Sequence, residues 1–145
     1  MRDFIERIEN DLPGTFVVAD MEAGLEHLSW AGGTLRYVDL LLVVVQPTAK
    51  VMMTADRTHK LAVELGIPRI AFLGNRATSP ADVDRMEAFA AERGCELLIA
   101  IPDDAAVPAA DRAASCVLDT APESEAVAAI GRLADRLEAE FAPAR

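Results

Sequence analysis

The sequence predicts one α/β domain, residues 1–145, with a three-layer arrangement: a mostly parallel sheet of about four strands flanked by helices. Three observations predict it. Short apolar runs alternate with helical periodicities in the order strand, helix, strand, helix, strand. The segment Asp39–Val45 is apolar at every residue after Asp39, which reads as a strand buried on both faces. The helical segments between strands are long enough to serve as crossovers between parallel neighbours.

Taken in order, Phe4, Ile5, Ile8 and Leu12 recur at helical spacing and predict an amphipathic helix over Arg2–Asp11, ended by Pro13-Gly14. Thr15–Asp20 reads as a buried strand ending on a carboxylate. Met21–Leu35 carries Gly24, Gly32 and Gly33 and reads as a loop with a helical turn near Ala23–Leu28. After Asp39–Val45, Gln46-Pro47-Thr48 breaks the strand, and Thr48 is the expected N-cap of a helix ending before Gly66. Its inner face is expected to be Val51, Ala55, Ala62 and Leu65. Arg69–Gly74 is the next strand. Ser79-Pro80 opens a helix, with Pro80 at its first position. Val83, Met86, Phe89 and Ala90 form its inner face, and Gly94 stops it. Glu96–Ile101 is the fourth strand, ended by Pro102. A short helix over Ala105–Ala114 and a last one over Glu123–Phe141 follow, the latter with Val127, Ile130, Leu133 and Leu137 inward.

Composition narrows the function classes. Apolar residues make up 52% and charged residues 26%, so the chain can fold around a core. With 14 Lys+Arg against 24 Asp+Glu, the net charge of −10 disfavours nucleic acid as a partner. The longest apolar run, Leu40–Val45, is far short of a membrane span, so no membrane partner is expected. The charged start does not read as a secretory signal, and Cys95 and Cys116 do not make a disulfide framework. A cytoplasmic location is the default expectation. Neither cysteine has a second one nearby, and His27 and His59 lie on different elements. No metal site is expected.

Ligands of open α/β sheets bind outside the carboxyl ends of the strands. That rule selects Asp20 with the loop after it, Gln46-Pro47-Thr48, Asn75-Arg76, and Pro102-Asp103-Asp104. Asn reads an adenine edge by paired donor and acceptor, and Arg stacks on a ring. A polar turn leading into Ser79-Pro80 explains Asn75 and Arg76 equally well. For Asp20, capping of the following turn competes with a functional role.

The segments Asp20-Met21-Glu22-Ala23-Gly24-Leu25-Glu26, Val38-Asp39 through Gln46-Pro47-Thr48, Gly74-Asn75-Arg76 and Ile101-Pro102-Asp103-Asp104 stand in the order found in one family. Together, over about Phe4 to Leu137, they resemble the MinD/ParA-like ATPases. The subgroup most similar is the CooC-type accessory ATPases, which support nickel insertion into carbon monoxide dehydrogenase. The resemblance implies a truncated SIMIBI-type P-loop NTPase fold. It makes Asp20 and Gly24 family switch positions near the γ-phosphate, places Asn75 and Arg76 at the base, and gives Pro102, Asp103 and Asp104 an adenine-cradling loop. It also implies a protein partner, either a related ATPase or a second copy, reached through the Met21–Leu35 region, where Trp30 is a candidate contact.

One departure is as informative as the match. The family's phosphate-binding loop needs a Gly-Lys pair to reach the β/γ oxygens. The only two lysines, Lys50 and Lys60, follow Ala49 and His59. The expectation is therefore weak binding of ATP or ADP, no role for Mg²⁺, and no hydrolysis by these residues alone. In the family, the phosphate-loop strand lies between the Asp20-type strand and the Leu40–Val45-type strand. Its absence predicts either that Thr15–Asp20 pairs directly with Asp39–Val45 or that another polypeptide supplies a strand. Three roles follow: partner or regulator of a related ATPase or metallocentre-maturation system, C-terminal subunit of a split ATPase, or gene fragment.

Overall fold

A computed structural model describes residues 15–21 and 38–141. Three parallel strands in the order β1-β2-β3 form the sheet: β1 (Leu41–Val45), β2 (Ile70–Ala77) and β3 (Leu97–Pro102). The helices are α1 (Ala49–Glu64), α2 (Pro80–Ala91), α3 (Ala106–Arg112), α4 (Val117–Thr120) and α5 (Glu125–Phe141). The expected helix at Arg2–Asp11 and most of Met21–Leu35, with Gly24, His27 and Trp30, lie outside the described residues.

Both crossover helices pack on one face. Met52 and Ala55 of α1 and Val83, Met86, Phe89 and Ala90 of α2 close over Val43, Val45 and Phe72. Phe72 and Met86 are wholly buried, and each contributes about 1.5–3 kcal/mol by leaving water. Phe72 meets Phe89 edge-on, with ring centroids 5.3 Å apart, and His59 at 5.9 Å. Gly74 lets α2 approach closely: a Cβ there would meet Met86 Cε at 3.0 Å and Ala100 Cα at 3.2 Å.

The third layer is α5, which packs along β3 with Ala126 and Ala129 buried. Of the expected inner face, Val127, Leu133 and Leu137 are half-buried but Ile130 is exposed, and the fully buried positions are the two alanines. Small side chains bring the helix backbone close to the strand, so the larger residues at neighbouring positions flank the seam. Because α5 covers β3 and not β1, Val44 is 51% exposed between buried Val43 and Val45. The expectation that β1 is buried on both faces is therefore corrected: one face is closed by α1 and α2, and the other is open at Val44.

The second correction concerns Thr15–Asp20. These residues form no strand and are exposed, with Val18 at 90%. β-prone residues become a strand only when a ladder partner takes up their N–H and C=O groups. Among the described residues, none pairs with this segment, and β1 pairs only with β2. Among the described residues the sheet thus has three strands, not four, and the expected direct pairing of Thr15–Asp20 with β1 is not formed.

Other elements agree closely with expectation. Ser79 caps α2, its Oγ accepting from Asp82 N–H at 3.3 Å. The Asp82 carboxylate reaches back to the Thr78 N–H and hydroxyl at 2.9 and 2.7 Å, and these bonds hold its pKa below the usual carboxylate range. Thr48 is the α1 N-cap without a side-chain bond. No helix among the described residues is long and apolar enough to cross a membrane.

Candidate functional site

The carboxyl ends of β2 and β3 hold most of the residues that sequence reasoning selected. The two strands do not run in simple register. Phe72 pairs with Leu97 but Leu73 with Ile99, so β3 carries one extra residue at Leu98. Gly74 pairs with Ala100 and Ala77 with Pro102, so β2 then carries one extra residue within Asn75-Arg76. Both are β-bulges, which re-aim side chains and gather near functional sites. The Leu98 carbonyl at the first bulge accepts from Arg136 Nη1 at 3.0 Å, joining α5 to the strand.

The second bulge bends Arg76 into the left-handed region, φ 58°. For a residue with a Cβ this costs about 1–2 kcal/mol. Three other described residues have positive φ: Gly66, Gly94 and Ala114. Each of those follows a helix and turns the chain out of it, with the next N–H returning to the last turn: Ile67 to Ala62, Cys95 to Ala90 and Ser115 to Ala110. Arg76 ends no helix. It sits in a strand, and its conformation comes from the bulge.

Two bonds fasten the β2 exit to the β3 exit. Asp103 N–H donates to the Ala77 carbonyl at 2.9 Å, and Arg76 Nε donates to Asp103 Oδ1 at 3.0 Å. The Arg76 side chain is 64% exposed and that of Asp103 47%. Asn75 is half-buried beside them, and Pro102 is the half-buried last residue of β3. Asp104 has a different task. Its Oδ1 accepts from Ala106 N–H at 2.8 Å and its Oδ2 from Ala126 N–H at 3.1 Å. One carboxylate thus caps the starts of both α3 and α5, and these backbone donors lower its pKa. With both oxygens engaged, Asp104 is bound into the scaffold, whereas Asp103 faces the open end.

The β2 and β3 exits adjoin a shallow hollow of about 430 Å³ at the start of α2, walled mainly by Ala77, Pro80, Val83, Ala100 and Pro102. Nothing in hydrophobic periodicity announced the bulge that shapes this end. From the first strand exit, the Pro47 carbonyl accepts from Arg85 Nη1 at 3.5 Å.

Asp20 is not brought to this cluster. Its neighbour Met21 packs against Ala62 and Ile67, together with Val38 and Leu65, at the opposite end of the sheet. Among the described residues, no three metal-ligating side chains converge.

Comparison with known proteins places the fold. No family model matches the chain. The carbon monoxide dehydrogenase accessory protein CooC of Rhodospirillum rubrum is 40% identical over 110 residues, 73% of this chain and 39% of CooC. The chain belongs to the MinD/ParA-like P-loop ATPase superfamily, close to CooC. An uncharacterized ATP-binding protein of Methanocaldococcus jannaschii is 38% identical over 88 residues, 61% of this chain and 34% of that protein. The chain spans between a third and two fifths of the length of the curated relatives it matches. The MinD cell division protein of Aquifex aeolicus shares the fold, with TM-score 0.78 and 21% identity over 99% of this chain and 61% of that one. So does MinD of Pyrococcus horikoshii, solved with Mg-ADP, with TM-score 0.71 and 22% identity over 94% of this chain and 56% of that one.

Proposed function

We propose that this chain binds the nucleoside end of ATP or ADP and acts as a partner or regulator of a related ATPase in a metallocentre-maturation system. The observation that carries this reading is the bulged β2 exit, where Asn75 and Arg76 stand at the carboxyl ends of parallel strands and Arg76 is tied to Asp103. Asn75 has the paired donor and acceptor that an adenine edge needs, and the Arg76 guanidinium has a face on which a ring stacks. Pro102 and Asp103 stand beside them at the exit of the neighbouring strand. The residues present therefore fit the base. They fit the phosphates less well, because neither lysine follows a glycine. Hydrolysis then needs a phosphate-binding loop from outside these 145 residues. The ATP-binding relative and the accessory role of CooC support the nucleotide and the maturation system respectively.

A second reading is favoured by β1, which pairs only with β2 among the described residues. A phosphate-loop-bearing chain adding a strand there makes this chain the C-terminal part of a split ATPase.

Calorimetric titration with ATP and ADP, with and without Mg²⁺, tests the first reading. The expected result is a Kd of roughly 0.1 mM or weaker that ignores Mg²⁺, since base contacts alone supply about −4 to −5 kcal/mol. Tight, Mg²⁺-dependent binding overturns it.

A further inference from the structure

We propose that Asp103 is a positioning residue for purine-base binding, its carboxylate holding the Arg76 guanidinium at the β2 and β3 exits for stacking on the ring. This rests on the nucleoside-binding reading above and assigns to Asp103 a side-chain task within it.

Three observations converge. First, the Arg76–Asp103 pair joins residues 27 apart in sequence at 3.0 Å, across the exits of two neighbouring strands. Second, among the described residues only Nε of Arg76 is engaged, and with 64% of its side chain exposed the guanidinium is presented at the open end. Third, the pair does not explain itself as a stability device. Both side chains are largely exposed, and exposed pairs add little to folding. Arg76 meanwhile keeps a left-handed backbone without any helix to terminate. Backbone strain retained in non-glycine residues gathers at ligand clamps and switch regions.

Asp104 sharpens the assignment. It is adjacent in sequence and carries the same functional group, yet both of its oxygens are consumed by the starts of α3 and α5. That double cap fixes the backbone on which Asp103 stands. Asp103 is thereby held on a firm base while its side chain remains free to aim Arg76. The gain to ligand binding is pre-organisation: a long, flexible side chain is ordered before the ring arrives.

The test is a double-mutant cycle on the full chain, read by competition of adenosine and of ATP against a fluorescent ADP analogue. Asp103→Ala and Arg76→Ala are measured singly and together, with thermal melting of each. The expected result is a loss of about fivefold in affinity for Asp103→Ala. It is equal for adenosine and ATP, because the link acts at the base and not at the phosphates. In the Arg76→Ala background, Asp103→Ala brings no further loss, and melting temperatures stay close to that of the unaltered chain. Unchanged affinity in Asp103→Ala, or losses that add in the double variant, overturns the positioning role while leaving nucleoside binding intact. An unaltered chain that binds neither adenosine nor ATP overturns both.

Discussion

The two ends of the sheet each hold an arginine beside a shallow hollow, and the two are built on opposite terms. At the amino end, Arg93 is saturated. Its Nε and Nη2 reach Asp56 Oδ1 at 2.9 and 2.8 Å, and its Nη1 donates to the Phe89 carbonyl at 2.7 Å. Its guanidinium carbon lies 3.5 Å from the Phe89 ring centroid. Arg69 nearby is paired with Glu140 and lies over Phe141. The hollow there, about 450 Å³ and bordered by His59, Arg93 and Cys95, has its cations already spent. At the carboxyl end, Arg76 has one side-chain partner among the described residues and is 64% exposed. An arginine whose donors are all engaged locks the fold, whereas one with donors to spare is set out for something else.

The comparison breaks or sharpens under substitution. The largest effect is expected beneath the amino end. Phe72→Ala removes the ring shared by Phe89 and His59 and should cost about 3–5 kcal/mol in urea unfolding. A loss below 1 kcal/mol would mean that this face is loosely packed. Arg93→Ala should cost about 1–2 kcal/mol by the same measurement, since a partly buried, stacked and doubly bonded cation is lost. If Arg76→Ala proves as destabilising as Arg93→Ala, the contrast between the ends fails. Arg76→Gly should go the other way, raising stability by about 0.5–1 kcal/mol, because glycine takes φ 58° without strain. It should weaken adenosine binding at the same time. A Gly variant that binds as the unaltered chain does would remove Arg76 from the base site.

The smallest effect is a pH dependence. Burial against Phe72, and then the Arg93 charge, push the His59 pKa below its ordinary 6.5, with Asp56 partly opposing and Lys60 adding a little. The unfolded chain therefore binds the proton more readily. Stability is complete above about pH 6.5 and declines as pH falls through that value toward the depressed folded one. Asp56, lowered by bonds from Lys60 and Arg93, and Asp104, lowered by Ala106 and Ala126, give losses only in the carboxylate range below about pH 4. Thermal melting of the chain and of His59→Leu between pH 7.5 and 5 separates the windows. An identical slope in both would assign the decline to another group.

Much of this fold was legible in the sequence because the signals were local. Ser79-Pro80 announced the start of α2, and Met86, Phe89 and Ala90 its inner face. Three strands stood out as apolar runs bounded by polar exits. What failed was whatever depends on a partner elsewhere. Thr15–Asp20 has the composition of a strand, but composition does not supply a ladder. Ile130 fits the helical period but not the seam, which the alanines of α5 take. The strand-end residues Asn75, Arg76, Pro102 and Asp103 were selected correctly as neighbours. Their geometry was hidden, since a bulge is a relation between two strands and leaves no mark on either alone. Asp20 was grouped with them because Thr15–Asp20 reads as a strand with a carboxyl end, whereas the neighbouring Met21 packs against Ala62 and Ile67.

The two bulges offset each other. From Phe72 to Ala77 and from Leu97 to Pro102 each strand advances equally, although their middles are out of step. Deleting one surplus residue would leave the exits a step apart and separate Arg76 from Asp103, while deleting both would restore the match. Natural insertions and deletions in this part of the family should therefore travel in pairs, one in each strand, as compensated edits and not as independent ones.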